Sequence, residues 1–317
     1  MSPIVTVSRF IGCDVGKATI AVHDAAAPRS WEIDNAPASL AAFAAALDPT
    51  CLVVCEATGG YEAALLSALL ARRIPAHRAD ARKVKAFIKS YGVLGKSDAI
   101  DAKWLARYGH ERDAALPRWR APDKARATLQ ALVLARQDLV AARAAFHNRS
   151  QAPTCVTTVH ADLVKAIDCA IARLDTDIAG LLSQGSELAG EVELLRKIKG
   201  FGKTNAPAII ALMPELGSLD RRKVAALAGL APHPRQSGAR DAYRATRGGR
   251  PAAKRALFMA ALVAARHNPQ IKTFFNRLLA NGKKPIVAIT AVMRKLLVIA
   301  NAKIRDHRAQ TSSQQVS

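Results

Sequence analysis

A chain of 317 residues that is 50% hydrophobic is long enough for two domains, or for one domain with a long insertion, and too apolar for wholesale disorder. Its formal net charge of +22 is unevenly spread: residues 196–317 carry 24 Lys/Arg against 4 Asp/Glu, whereas 1–110 carry 13 against 10 and 111–195 carry 10 against 11. So basic a segment points to a polyanionic partner and argues against a merely solvated basic face. The five cysteines, at 13, 51, 55, 155 and 169, form no CxxC pair and have no His-x3-5-His beside them, which disfavours a zinc site. A reducing cytoplasm suits them better than secretion. The N-terminus shows no basic segment followed by an apolar signal run, and the late apolar stretch Pro285–Ala300 is interrupted by Arg294 and Lys295, so no membrane partner is expected.

In chain order, Arg9–Val15, Ala18–His23 and Ser30–Ile33 read as strands, joined by turns at Gly16-Lys17 and Ala26–Arg29. A helix over Ser39–Leu47 follows. The apolar run Cys51–Cys55 is short enough for a buried strand, in which both cysteines pack as small hydrophobes. Gly59-Gly60 opens a helix to Ala71, Ile74–Arg78 is an edge strand, and helices follow at Ala81–Ser90 and Asp98–Tyr108, the last stopped by Gly109. The order β-β-β-α-β-α-β-α-α predicts an α/β sheet begun by antiparallel hairpins and finished by crossovers.

Residues Pro122–Arg149 and His160–Leu182 carry two apolar stripes, Leu132, Leu139 and Phe146 on the first, and Leu163, Ile167, Ile171, Leu174, Ile178 and Leu181 on the second. They predict an antiparallel helical hairpin, either packed internally or mated as a coiled coil with a second subunit. Arg196–Ala206 ends one helix and starts another through Gly200-Phe201-Gly202, similar to a helix-hairpin-helix whose amides take a phosphate; a plain glycine-capped connection is the alternative. Leu219–Leu230 is helical, and Ala231–Arg250 is a Pro-, Gly- and Arg-rich loop without apolar period. Helices follow at Pro251–His267, Ile271–Ala280 and Pro285–Ile304, and the polar tail from Arg308 is expected to be disordered.

Asp14 and Glu56 each end an apolar strand, where functional side chains collect in an open α/β sheet. Unpaired carboxylates there are costly unless a cation joins them. Asp98 and Asp101 lie three apart at a helix start, beside one another on the first turn; taken alone, they read as a cap and a complement to the helix dipole. Together the four offer oxygen ligands suited to Mg²⁺ or Mn²⁺, and two such ions would serve phosphodiester displacement.

Four segments carry a family resemblance: Gly12-Cys13-Asp14-Val15-Gly16-Lys17, Glu56-Ala57-Thr58-Gly59, Lys96-Ser97-Asp98-Ala99-Ile100-Asp101-Ala102, and a C-terminal series. That series comprises Ile198–Ala206, Leu227–Pro232 with Ser237-Gly238, and Arg247-Gly248-Gly249-Arg250 through Arg294–Leu297. The chain resembles the DEDD-type insertion-sequence transposases, the family of the Piv DNA invertase and the bridge-RNA-guided recombinases. The resemblance covers nearly the whole chain, although 111–195 matches in pattern rather than in motif.

It implies a RuvC-like (RNase H-fold) α/β catalytic domain over 1–110, a helical hairpin or coiled-coil arm over 111–195, and a mainly α, basic transposase domain over 196–317. It also implies a DNA recombinase with Asp14, Glu56, Asp98 and Asp101 as metal ligands, Mg²⁺ or Mn²⁺ as cofactor, and Ser237 as nucleophile. Double-stranded DNA, a structured guide RNA and a homo-oligomer of two or four copies are the partners it implies, in a cytoplasmic protein that associates with the nucleoid when acting. The acids and Ser237 would meet in one composite site.

On the residues alone, Ser237 is a loop serine beside Gly238, with no general base evident: His233 is near in sequence, but nothing fixes its geometry. Arg235, Arg240, Arg244, Arg247 and Arg250 surround it and suit phosphate binding, as do Lys254 and Arg255 farther along and Lys199, Gly200, Gly202 and Lys203 in the helix-hairpin-helix-like turn. The competing function is a RuvC-like Holliday-junction nuclease using the same acids with water as nucleophile. A non-catalytic nucleic-acid-binding protein would have no reason to hold four carboxylates at sheet edges.

Overall fold

In a computed structural model of the chain, residues 6–92, 95, 97–121, 123–151, 156–183, 187–233, 236–237, 240–241 and 245–314 are described. They divide into two compact units, Met1–Ala121 and Pro122–Ser317.

The first unit is a mixed five-stranded sheet with helices on both faces. Strands β1 (Arg9–Val15), β2 (Thr19–Asp24) and β3 (Arg29–Asp34) form an antiparallel meander, and β4 (Cys51–Glu56) and β5 (Ala76–Ala79) add in parallel, giving the order β3-β2-β1-β4-β5. Interleaved are α1 (Pro37–Ala45), α2 (Glu62–Ala71), α3 (Ala81–Ser90) and α4 (Asp98–Arg112). The element order is the one expected from the sequence, and it is compatible with an RNase H-like fold.

Strand alternation sorts the core. Odd residues Ile11, Cys13, Val15, Cys51, Val53 and Cys55 pack with α1 and α2, whereas even residues Phe10, Leu52 and Val54 pack with α3 and α4. Cys13, Cys51 and Cys55 are buried as small hydrophobes, and burial pushes the Cys55 thiol up to about 12. The outer edge of β5 is covered by the chain beyond α4: Trp119 donates its amide to Ala76 O (2.6 Å), and His77 Nδ1 meets Pro117 O (2.8 Å).

Gly109 does not stop α4. The helix runs to Arg112, and Gly109 faces the sheet, where a Cβ would stand 2.7 Å from Val54 Cγ2. The glycine answers a tertiary contact that local sequence does not reveal.

The second unit is helical around one core. Helices α5 (Lys124–Ser150) and α6 (Thr157–Ser183) form an antiparallel hairpin, with Arg136 bound to Asp175 and Arg143 to Asp168. Its base, Leu129, Val133 and Ile178, joins the core made with α7 (Glu187–Arg196), α8 (Asn205–Leu212) and α9 (Arg221–Leu227). Leu134, beside that base, and Val159 and Leu163, near the start of α6, are exposed. The strands β6 (Gln236–Ser237) and β7 (Arg240–Asp241) follow, then α10 (Pro251–His267), α11 (Pro269–Ala280) and α12 (Pro285–Gln314). Asn268 both ends α10 and caps α11, its side chain accepting from Ile271 N (3.3 Å) with Pro269 at the first helical position.

Two expectations are corrected here. The segment Ala231–Arg250 is not wholly a loop: Gln236 pairs with Asp241 and Ser237 with Arg240 in a short antiparallel ladder, with a bridge between Pro232 and Thr246 below it. The tail from Arg308 also continues α12 as far as Gln314. Arg308 donates to Glu191 Oε1 (2.7 Å) and to Leu216 O (2.6 Å), so the last turns are tied to the core.

Glu191 is fully buried and bridges Arg308 to Arg126, whose guanidinium also donates to Ile210 O. By length and composition α12 is apolar enough to cross a membrane. Its Ala288, Val292, Leu296, Leu297, Ala300 and Ile304 are, however, fully buried in the core of this unit.

Candidate active site

Gly12 fixes how α4 lies on the sheet. A Cβ there would stand 1.9 Å from Ala102 O and 2.4 Å from Ala106 N, so only glycine allows the helix backbone this close. Gly12 thus meets the start of α4, while Gly109 near its end meets Phe10 and Val54. The helix therefore runs antiparallel to β1 and β4, and its N-terminus lies at their carboxyl end.

The acids follow from that packing. Asp14 is two residues beyond Gly12, and Glu56 two beyond Val54, so both belong to the face that α4 covers. The parallel register ends at Cys13–Cys55, which puts Asp14 and Glu56 side by side one step further. Asp98 and Asp101 precede the buried Ala102 and Leu105 by four residues and share their stripe. Two strand residues advance about 6.6 Å, and four helix residues about 6 Å. All four carboxylates therefore reach the same end of the same face. Ser97, not Asp98, is the N-cap, accepting from Ile100 N (3.3 Å), and both acids sit in the first turn.

The loops behind the acids are held by residues that sequence reading passed over. Glu62, 2% exposed, accepts from Thr58 N (3.2 Å), Thr58 Oγ1 (3.3 Å) and Gly60 N (3.0 Å), and pairs with Arg78. Burial pushes its carboxyl up, but these donors and Arg78 outweigh that and hold it below the usual range. Asn35 Nδ2 donates to Gly16 O (3.0 Å) and Tyr61 O (3.2 Å). In sequence Glu62 reads as a helix-dipole acid and Asn35 as a turn residue. Glu62 lies six residues after Glu56, a spacing that could have flagged it, whereas Asn35 lies 21 residues from either strand-end carboxylate and carried no such signal. On the α4 face, His23 lies opposite Gly12 and bonds Ser30 Oγ (2.8 Å); burial and then Lys103 push its imidazole down.

Asp14, Glu56, Asp98 and Asp101 are a hard-oxygen donor set of the kind Mg²⁺ and Mn²⁺ take, and they share one edge. By donor chemistry they suit such an ion. Among the described residues, no group of three or more His, Cys, Asp or Glu side chains is drawn around a common point as it stands.

In the second unit, α7 ends at Arg196 and α8 starts at Asn205, with exposed Lys199, Gly202 and Lys203 between them. Gly200 packs against α10, where a Cβ would stand 2.9 Å from Ala260 O. Lys203, Lys254 and Arg255 rim one groove of about 880 Å³ floored by Val133, Phe258, Met259 and Met293. Lys254 also donates to Thr246 Oγ1 (3.3 Å), and Arg247 is exposed. Arg250 is engaged by the fold itself, bonding Glu215 and Leu212 O (2.8 Å). The glycine pair Gly229 and Gly249 brings two backbones together under the Ser237 ladder, since a Cβ on Gly229 would meet Gly248 O at 2.2 Å. Ser237 and Arg240 form the last recorded pair of that ladder, and Arg235 and Arg244 lie outside the described residues, as does Lys96 in the first unit.

Residues 192–276 match the model of the transposase IS116/IS110/IS902 family, and residues 11–155 match a model described as transposase, of the DEDD IS110 type. The pilin gene-inverting protein of Moraxella lacunata is 30% identical over 261 residues, 81% of this chain and 80% of its own length, and that of Moraxella bovis gives the same figures. The insertion element IS900 uncharacterized 42 kDa protein of Mycobacterium paratuberculosis is 31% identical over 184 residues, 54% of this chain and 44% of that protein.

Proposed function

The chain belongs to the IS116/IS110/IS902 transposase family and is a DNA recombinase of that class; from that premise we propose that it cuts and exchanges the strands of a mobile DNA element. In this reading Asp14, Glu56, Asp98 and Asp101 hold Mg²⁺ or Mn²⁺, and Ser237 is the nucleophile. The observation that supports it most is the antiparallel packing of α4 on β1 and β4, which carries the two first-turn acids to the strand ends that bear the other two.

A bound divalent ion supplies Lewis acidity to a phosphodiester oxygen. Ser237 Oγ bonds to phosphorus as the bond from phosphorus to a deoxyribose oxygen breaks; the serine gives up its proton, and the leaving oxygen gains one. The DNA end then stays on the protein as a phosphoserine ester until a second strand's hydroxyl displaces the serine. Lys199, Lys203, Lys254, Arg247 and Arg255 hold the backbone of double-stranded DNA and of a structured guide RNA. The apolar outer part of the α5–α6 hairpin mates as a coiled coil with a second copy. Residues 1–110, 111–195 and 196–317 act as catalytic, arm and DNA-engaging parts, working at the nucleoid.

Metal binding is tested by melting. Clustered carboxylates repel until a cation screens them, so the wild-type chain should gain about 2.7 kcal/mol at a hundredfold excess of Mg²⁺ or Mn²⁺ over Kd. An Asp14→Asn/Asp98→Asn double variant should gain none. A wild type that gains nothing, or no more than the double variant, contradicts the site.

Nucleic-acid binding is tested by salt. Log K should fall linearly with log salt, by about 0.9 for each phosphate contacted. The triple variant Lys203→Ala/Lys254→Ala/Arg255→Ala should flatten that slope by roughly two to three. An unchanged slope would show that this basic rim does not meet phosphates.

A further inference from the structure

We propose that Asn35 is a positioning residue for the carboxylate site, its side-chain amide tying the turn after Asp14 to the loop after Glu56. The inference rests on the reading of Asp14 and Glu56 as ligands of one divalent ion. The ladder between β1 and β4 is recorded as far as Cys13–Cys55. One step on, Asp14 stays in register with Ala21 of β2 and Glu56 with Ala79 of β5, and a side chain joins the two loops that follow them.

Asn35 is that join. It is the first residue after β3, and its own N–H donates to Ala18 O (2.7 Å), docking it on the β1–β2 turn. That turn is closed by Gly16 N donating to Thr19 O (2.9 Å). From there Nδ2 donates one hydrogen to Gly16 O, two residues past Asp14, and the other to Tyr61 O, at the end of the loop that begins after Glu56. Both contacts are carbonyl oxygens, so only the NH₂ end of the amide can face them. Asn35 Oδ1 is buried and has no hydrogen-bond partner among the described residues, so the two donated bonds alone fix the amide.

Glu62 completes the link, taking Thr58 and Gly60 amides on the same loop while bound to Arg78 of β5. A continuous path therefore runs from Asp14 through Gly16, Asn35, Tyr61 and Glu62 to Glu56. Two neutral hydrogen bonds at a half-exposed side chain contribute about 1 kcal/mol each to the fold. Partners that bond a metal ligand directly are worth about 10–100-fold in affinity; Asn35 acts one step further out, through the carbonyls of Gly16 and Tyr61, so its loss should cost no more than the lower end of that range.

The test is a Mg²⁺ titration of the full chain, reading the concentration that gives half of the maximal rise in Tm, repeated with Mn²⁺. Asn35→Ala and the near-isosteric Asn35→Leu should each move that half-point up severalfold, to at most about tenfold. Thr50→Ala serves as the control, because it removes a side-chain bond to Asp48 at the opposite end of β4. It should lower the Tm while keeping the wild-type half-point. Wild-type half-points in both Asn35 variants, or an equal shift in Thr50→Ala, would overturn the positioning role alone. A wild type with no response to either metal would overturn the metal reading together with it.

Discussion

Asp14→Asn, Glu56→Gln, Asp98→Asn and Asp101→Asn are each expected to cut strand exchange by about a thousandfold or more, while the protein melts no lower than wild type without metal. The activity loss follows from the several kcal/mol that a Lewis-acid site contributes to a phosphodiester transition state, at about 1.4 kcal/mol for each factor of ten. The retained stability follows from placement. In the proposed site the four carboxylates face one another, so removing one negative charge there would relieve repulsion. A residue that merely caps α4 would behave in the opposite way, because losing a cap lowers stability and leaves chemistry alone. Ser97 is the cap, so Ser97→Ala should cost about 1 kcal/mol of stability. Strand-exchange assays and thermal melts on the same preparations separate the two roles.

Glu191→Ala is expected to destabilise the second unit by about 3 kcal/mol, since it removes the fully buried carboxylate that two guanidiniums share. Arg126 and Arg308 reach Glu191 from α5 and α12, and the carboxylate is fully buried between them. In a unit of this size that loss corresponds to a fall of roughly 10 °C in Tm. Glu193→Ala, two residues on, removes an exposed pair with Arg196 and should change stability by less than about 1 kcal/mol. Urea titration of both variants checks the contrast; equal midpoints would show that the buried triad does not hold these helices together.

The order of elements was legible because hydrophobic period separates strand from helix without knowledge of the fold. The run Cys51–Cys55 was short enough for a buried strand, and Pro251–His267 was bounded by its own proline and Asn268. What escaped depended on contacts between distant residues. Gly109 looked like a helix stop because glycine usually is one, and only Val54 across the sheet explains it. The segment after Arg308 looked disordered from its polar composition, yet Glu191, far away in sequence, anchors it. The four acids were visible as strand ends and a helix start, whereas their shared face needed the register of β1 with β4 and the close approach at Gly12. Nothing in the sequence singled out Asn35, because its role lies in two carbonyls from separate loops. The part given to Ser237 came from family resemblance, since a serine beside a glycine says little by itself.

The central claim is that a serine ester, formed with the help of the carboxylate site, carries the DNA through strand exchange. End-labelled element DNA incubated with Mg²⁺ and each variant, then run on a denaturing gel, reads it directly. The wild-type chain should leave a labelled protein–DNA species that survives denaturation, and Ser237→Ala should leave neither that species nor cut DNA while still binding its substrate. Asp98→Asn should also lack the adduct, because in the proposed reaction acid and serine act in one step. Metal-dependent cutting by Ser237→Ala at the wild-type rate, with no adduct in any lane, would mean that water is the nucleophile, and would contradict the account.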